Sequence, residues 1–380
     1  MNDRIMITTA DIGWAHINRV IAVAKELDLD GYELHFCLSR KNCVIARQNG
    51  FRNIYPTEET SWIENEYGVD VVKSLYNVLL PTNGRNSIIQ KFVSQYRAIR
   101  EYVHRINPKL LISDGSIPAL RVSKRWNKDC IFITNTIRPS YPWYAQVATK
   151  VPQEMAERYM QAAREIIFAD LPPNKTISLY NLGDSSKFDN LKFVGPFTDM
   201  RLPSGIRDGG FIYVMSSGTS ENRKRFSRRI TPILDRHCNQ HGYTWKMTLG
   251  LSGGLMEKTD LHEIYGYVDS ETHERFQKEC GLVFHNGSHS ICFRAISKEK
   301  RSLIVPTKHQ VEQEANARRM QELGLGVCLE EKRLEQELPN AMEALNQRKA
   351  KYSSTLREFR ECAERFDGLR EAVEDIESFA

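Results

Sequence analysis

The feature that most constrains the fold is the alternation of short apolar runs with segments of helical periodicity. Arg4–Thr8 is strand-like, Ile17–Leu27 has apolar residues at helical spacing, and Glu33–Leu38 is strand-like again. The alternation continues to Phe193–Val194, with a long helical region predicted over Ser61–Leu80. Strands separated by helices favour parallel βαβ units with helices on both faces. The pattern therefore predicts a doubly wound α/β sheet.

The chain is long enough for two domains, since 380 residues exceed the usual size of one core. A second βα series begins at Phe211–Met215, after a segment rich in Gly, Pro and Asp that is typical of a linker. We expect a first domain over 1–197, a linker over 198–210 and a second domain over 211–350. The charged helical tail, 351–380, can pack back across the linker.

Composition indicates an ordinary globular protein with a mildly basic net charge of +5. The basic run from Arg223 to Arg229 favours a solvated helix face, and no nucleic-acid partner is predicted. Eight scattered cysteines without a C-x-x-C motif indicate free thiols in a reducing compartment. Neither a signal peptide nor a transmembrane segment is evident. We expect a cytoplasmic protein, and peripheral contact with a membrane stays open.

Two loops after predicted strands of the first domain carry candidate catalytic groups. His16 lies at a helix start and can act as a general base, or it can simply cap or pack that helix. Asp114 ends an apolar strand and can orient His16, or it can serve as an N-cap. Carboxyl ends of parallel strands share one edge of a sheet, where ligands bind in α/β folds.

The strongest pattern lies in the second half, where two strand ends and two helix starts fall within residues 281–317. Ser288 or Ser290 can cap a helix whose N-terminus accepts a phosphate. Glu312 and Gln313 can hydrogen-bond sugar hydroxyls, with Asn316 one turn further on. A zinc site at His285 and His289 is disfavoured, because a third ligand at metal spacing is missing. These groups predict an anion-binding edge.

Together these motifs resemble those of GT-B glycosyltransferases, in particular the peptidoglycan N-acetylglucosaminyltransferase and the UDP-glycosyltransferase group. The segment Gly13–Arg19 is similar to the G-x-G-H-x-x-R loop, with Ala15 in place of the second glycine. The segment His285–Ser290 is similar to H-x-G-x-x-[ST], and Glu312–Ala317 to the acid, Gln, two residues, Asn-Ala pattern that follows it.

The resemblance implies two Rossmann-like domains facing across a cleft, with the C-terminal helix crossing back. It implies inverting, metal-independent transfer from a nucleotide sugar, with a UDP-sugar as the expected donor and no other cofactor. Its site residues fall into three sets in this chain. The catalytic pair is His16 and Asp114; the donor site comprises Ser217, Gly218, His285, Gly287, Ser288, His289, Ser290, Glu312, Gln313 and Asn316; the acceptor side comprises Gly13, Asn18 and Arg138.

One departure from the resemblance concerns the donor ribose. Many of these enzymes bind the ribose with a glutamate after the H-x-G-x-x-[ST] turn, whereas Cys292–Ala295 holds no acid. The missing acid motivates a non-catalytic nucleotide-sugar-binding protein as one alternative. A nucleotide-sugar hydrolase or epimerase of the same fold is kept as a second alternative. The aromatic, basic loop Ile137–Tyr144 can stack on a sugar or lie at a lipid interface, or it can simply pack between the domains. The acceptor is therefore left open between a lipid-linked and a small molecule.

Overall fold

The computed structural model describes residues 3–11, 15–58, 64–65, 68–70, 73–74, 77–78, 80–81, 86–141 and 143–380. The described strands are β1 Arg4–Thr9, β2 Glu33–Ser39, β3 Ile54–Thr57, β4 Glu64–Asn65, β5 Gly68–Val69, β6 Leu110–Asp114, β7 Asp129–Thr134, β8 Glu165–Phe168, β9 Leu191–Phe193, β10 Phe211–Met215, β11 Thr244–Thr248, β12 Leu255–Lys258, β13 His262–Tyr265, β14 Leu282–His285, β15 Ser302–Ile304 and β16 Gly326–Cys328.

Helices connect most of these strands. They are α1 Ala15–Leu29, α2 Arg40–Gln48, α3 Ile88–Ile106, α4 Ile117–Trp126, α5 Trp143–Met160, α6 Leu179–Leu182, α7 Ser220–His241, α8 Ser270–Glu279, α9 His289–Ser297, α10 Val311–Glu322, α11 Leu334–Gln347, α12 Lys349–Ala363 and α13 Gly368–Phe379.

Two seven-stranded sheets form the frame of the protein. The first has the order β3-β2-β1-β6-β7-β8-β9 and the second the order β12-β13-β11-β10-β14-β15-β16. All pairs in them are parallel except β12 with β13. Strand order reverses between β1 and β6 and again between β10 and β14. Each reversal opens a crevice at the carboxyl ends of the strands, which is where such sheets bind ligands.

Apolar side chains cover both faces of each sheet. In the first domain, Ile5, Ile7 and Ile112 face a core shared with α1, and Met6 and Leu111 face a second core under α3 to α5. This division follows from the alternation of side chains along a strand. Strands buried on both faces require continuous apolar runs, which explains why the sequence pattern located them.

The C-terminal helices return from the second domain to the first. Leu356 and Phe359 of α12 pack beside α9 and α10, whereas Ala372 and Ile376 of α13 join the core of the first sheet. The chain thus crosses between the domains at residues 194–210 and again at residues 364–367. This confirms the predicted return of the C-terminal helix.

The two crossings touch each other. Gly195, which has a φ of +89°, lies against Phe366, and Gly368 lies against the backbone carbonyl groups of Gly195 and Pro196. A Cβ atom at Gly195 or Gly368 would clash with these neighbours. The close approach of the two segments therefore depends on glycine at both positions.

The prediction of a helical region over Ser61–Leu80 is wrong for part of that range. Residues 64–65 and 68–69 form an antiparallel pair, and only residues 73–74 and 77–78 are helical among those described. Val69 donates its backbone N–H to the carbonyl of Lys308 in the second domain at 3.2 Å. A long-range backbone contact of this kind overrides local helical periodicity, and no sequence pattern reveals it.

Candidate functional site

A cleft of about 360 Å³ lies where the two crevices face each other. The first domain lines it with the start of α1 and the segment after β7, and the second with the segments after β10, β11 and β13 and the starts of α9 and α10. The topology therefore brings the loops singled out in the sequence to a single place.

His16 and Asp114 meet on the first-domain side of the cleft. His16 Nδ1 lies 2.5 Å from Asp114 Oδ1, and Arg19 donates to both oxygens of the same carboxylate at 2.7 Å. Asp114 is fully buried, whereas His16 lines the cleft. Burial alone would raise the pKa of Asp114, but Arg19 and His16 outweigh it and hold this pKa below its usual value.

The ionised carboxylate fixes the tautomer of the neutral imidazole. An ionised Asp114 can only accept, so His16 Nδ1 carries a proton and donates it. Arg19 Nη2 lies 3.0 Å from the same Nδ1 because both donors serve Asp114 Oδ1. The other ring nitrogen, Nε2, is then the basic one. The pair has the geometry of a general base held by an orienting carboxylate.

Asn135 connects this group to the second domain. Its side-chain oxygen accepts from Arg19 Nη1 at 3.2 Å, and its amide donates to Glu312 Oε1 at 3.0 Å. Asn135 is buried and lines the cleft together with Glu312. A continuous set of hydrogen bonds thus runs from His16 to a carboxylate across the cleft. Asn135 was missed in the sequence, because nothing in a strand-end asparagine indicates such a link.

The second-domain side presents the N-terminus of α9. Its N-cap, Ser288, makes no side-chain capping hydrogen bond, and Ser288, His289 and Ser290 line the cleft. Among the described residues, no hydrogen-bond acceptor for the N–H groups of these three residues is found. Free N–H groups and the helix dipole make this a favourable place for an anion.

Ser217 and Gln313 line the cleft, but their polar atoms are already engaged. The Ser217 hydroxyl donates to Asn286 Oδ1 at 2.7 Å and accepts from Gln313 Nε2 at 3.3 Å. Gln313 Oε1 accepts from the backbone N–H of Thr307 at 2.9 Å. Neighbouring Gly218 also lines the cleft, with a φ of +101°. These residues tie three loops together and set the shape of the cleft.

His285, Gly287 and Asn316 are buried behind the cleft wall. His285 Nδ1 accepts the backbone N–H of Gly287 at 3.1 Å, and burial lowers the pKa of His285 to about 3. Asn316 donates to the carbonyl of Gly287 at 3.1 Å. These contacts stabilise the turn before α9. Direct contact of these three residues with the nucleotide-sugar donor stays a prediction.

His289 also makes a contact between the domains. Its Nε2 lies 3.0 Å from Asp170 Oδ2, and Asp170 is fully buried after β8. Burial would raise the pKa of Asp170, but His289 and backbone N–H groups, including that of Leu171, hold it below its usual value. The pair fixes the start of α9 against the first domain. Asp170 was not found from the sequence.

The three residues predicted for the acceptor side differ in where the structure places them. Gly13 lies outside the described residues. Asn18 is exposed and lines the cleft. Arg138 pairs with Glu157 of α5 at 2.6 Å, so its structural contact is with that helix.

The sequence did not identify two arginines that line the cleft, Arg223 and Arg294. The prediction that the basic run from Arg223 to Arg229 faces solvent is wrong in part. Arg223 and Arg225 are buried, and Arg223 lines the cleft with Arg294 of α9. Arg225 pairs with Glu331 at 2.5 Å. A run of basic residues along a helix normally faces water, and only the fold turned these two inward.

In the described ranges, no group of three or more His, Cys, Asp or Glu side chains is arranged to hold a metal ion. Within the same ranges, every helix lacks either the length or the apolar character needed to cross a bilayer. All eight cysteines are free.

Comparison with known proteins supports the fold directly. The calicheamicin glycosyltransferase matches with a TM-score of 0.70 and 15% identity, covering 100% of this chain and 98% of its own. The glycosyltransferase SnogD from Streptomyces nogalater matches at 0.65 and 13%, covering 100% of both chains. The spinosyn rhamnosyltransferase complexed with thymidine diphosphate matches at 0.68 and 11%, covering 98% of this chain and 100% of its own.

No family model and no curated protein matches the chain. The structural matches extend over the whole chain, and the two sheets and the returning helix agree with them. The chain therefore has the GT-B fold of glycosyltransferases, as predicted. The narrower resemblance to the peptidoglycan enzyme stays a prediction.

Proposed function

We propose that the protein is a glycosyltransferase that moves a sugar from a nucleotide sugar to an acceptor hydroxyl. The observation that carries this proposal is the pairing of a held base, His16 on Asp114, with the free N–H groups of α9 in the same cleft. One side suits deprotonation of an acceptor, and the other suits a phosphate leaving group.

In the proposed reaction, His16 Nε2 takes the proton of the acceptor hydroxyl while its oxygen forms a bond to the anomeric carbon. The bond from that carbon to the phosphate oxygen breaks, and its electron pair leaves with the diphosphate. A single displacement of this kind inverts the anomeric configuration. Backbone N–H groups of Ser288 to Ser290 stabilise the charge that develops, which removes the need for a metal.

Glu312 is the group proposed to bind the donor sugar. It lines the cleft at the start of α10 and uses only Oε1 in its contact with Asn135. Its other oxygen is available to accept from a sugar hydroxyl. A sugar bound there lies at the contact between the domains, beside the group that orients His16.

The donor nucleotide and the acceptor are proposed as classes. UDP-sugars remain the expected donors, and dTDP-sugars join them because a structural neighbour was solved with thymidine diphosphate. A lipid-linked acceptor is favoured over a small polar one by exposed Val147, Val151 and Met155, which share one face of α5. Contact with a membrane surface is part of the same proposal.

The test is a panel of UDP-, dTDP- and GDP-sugars. We expect one class to raise the melting temperature, because a ligand at a hundredfold excess over its Kd stabilises a protein by about 2.7 kcal/mol. Product analysis with that donor, with and without candidate acceptors, distinguishes transfer from hydrolysis or epimerisation. Absence of binding to every nucleotide sugar contradicts the proposal, and binding without any turnover favours the non-catalytic alternative.

A further inference from the structure

Arg223 is a buried cation whose guanidinium group has no partner in the part of the chain that the structure describes. It is 6% exposed, and its Nε is buried with no hydrogen bond. It leaves the first turns of α7 and lies against Gly250 after β11, where both residues line the cleft. Glu221 acts on it only as a nearby charge. Burying an unpaired guanidinium costs several kcal/mol, so a fold that retains one has a use for it.

Arg294 is a second cation in the cleft, and it is partly buried. It lies one turn after Ser290 on α9, so the two share a face, and helical side chains lean toward the N-terminus. The nearby carboxylate of Glu274 lies 3.2 Å from Lys298 instead. Among the described residues, the side chains of Arg223 and Arg294 have no ion-pair or hydrogen-bond partner. Burial lowers the pKa of both arginines, because the charged guanidinium loses contact with water.

Both arginines lie on the second-domain side of the cleft, Arg223 against Gly250 after β11 and Arg294 near His273 of α8, whereas His16 lies on the first-domain side. His273 and Tyr213 lie near Arg294, and they hydrogen-bond each other at 2.5 Å rather than supplying a negative charge. Among the described residues that line the cleft, Glu312 is the one carboxylate, and it already accepts from Asn135. The missing element is therefore an anion.

We propose that Arg223 and Arg294 are a specificity-determining pair that binds the phosphoryl group on the nucleoside side of the donor diphosphate. The N–H groups of α9 then bind the phosphoryl group attached to the sugar. This inference rests on the proposed function and names the side chains that bind the diphosphate of its donor. Two guanidinium groups match the charge of a diphosphate and bind phosphate oxygens in a bidentate manner.

The experiment measures binding of inorganic pyrophosphate and of orthophosphate to the full chain by calorimetry at two salt concentrations. The variants are Arg223→Met and Arg294→Met, which keep the length of the side chain. Arg228→Met is the matched control, because Arg228 is exposed on the same helix. We expect each variant to weaken pyrophosphate binding at least tenfold and to flatten its salt dependence. The control changes it less than twofold, and Arg294→Lys recovers part of the loss.

Thermal unfolding separates this role from a structural one. Removing an unpaired buried charge leaves the melting temperature of Arg223→Met and Arg294→Met unchanged or higher. A lower melting temperature with unchanged pyrophosphate affinity overturns the inference, and so does unchanged affinity alone. In that case nucleotide-sugar turnover by the wild type still supports the proposed function. If the wild type turns over no nucleotide sugar while pyrophosphate binding depends on both arginines, only the proposed function fails.

Discussion

The two crevices have the same topology and opposite electrostatics. In the first domain the buried carboxylate of Asp114 is matched by Arg19 and His16, so its charge is compensated within the protein. In the second domain Arg223 and Arg294 line the cleft and have no carboxylate partner among the described residues, and the N–H groups at the start of α9 lie in the same cleft. The difference indicates that the first crevice is complete before a ligand arrives, whereas the second is completed by an anion.

Replacing His16 should have the largest effect. We expect His16→Ala to lower kcat by about 10²–10⁴-fold, because a positioned general base contributes that much. Binding of the donor should be retained, since the donor groups lie on the other side of the cleft. Steady-state kinetics with the donor found in the nucleotide-sugar panel provides the measurement. Lys25→Ala, an exposed residue on the same helix but outside the cleft, is the control. Full turnover by His16→Ala would show that His16 takes no part in the reaction.

Breaking the charge balance of the first crevice should destabilise the fold. Asp114→Ala leaves Arg19 buried without its counter-charge, which typically costs about 3–5 kcal/mol. Urea denaturation measures this loss. The double variant Asp114→Asn with Arg19→Met should regain most of it. The comparison of the crevices is wrong if Asp114→Ala is as stable as the wild type.

Buried His285 should give the second domain a pH-dependent stability. Its folded pKa of about 3 lies below the usual unfolded value, so between about pH 6.5 and pH 3 the unfolded chain binds the extra proton. Stability is then present above that window and falls by about 1.4 kcal/mol per pH unit as the pH drops through it. His285→Asn keeps an acceptor for Gly287 and should remove this slope. The same pH dependence of stability in the wild type and in His285→Asn would show that other titrating groups cause it.

The smallest effect concerns the contact between the crevices. Asn135→Ala removes hydrogen bonds to Arg19 and Glu312, each worth about 1 kcal/mol. We expect a several-fold lower kcat with the KM for donor little changed, because the orientation of His16 is affected rather than donor binding. Asn181→Ala removes a different interdomain contact, to Asn316, and serves as control. Equal losses of kcat in both variants would show that Asn135 acts only as an interdomain contact and does not orient His16.

The sequence predicted the parts of the site that local patterns encode. Strand ends and helix starts follow from periodicity and turn residues, so the positions of His16, Asp114 and Ser288 could be anticipated. Contacts between residues far apart in the chain could not. The pairing of Asp170 with His289 joins residues separated by 119 positions, and no single-sequence pattern records such a distance.

The arginines illustrate a second limit. Arg223 belongs to a basic run whose charges suggest solvent exposure, and its burial depends on how α7 packs beside β11. The segment Cys292–Ala295 holds no acid, which the sequence shows directly, whereas its Arg294 gives no signal, because an isolated arginine is uninformative without its neighbours. The predicted donor residues His285 and Asn316 likewise marked the right turn, although their side chains lie behind it.

The contact of Gly195 with Phe366 and Gly368 determines how the two halves can move. Two chain segments that cross side by side define a hinge axis through their point of contact. Rotation about that axis opens or narrows the cleft, whereas sliding or twisting of the halves would separate the segments. A side chain introduced at Gly195 or Gly368 should therefore alter the angle between the domains while leaving each core intact.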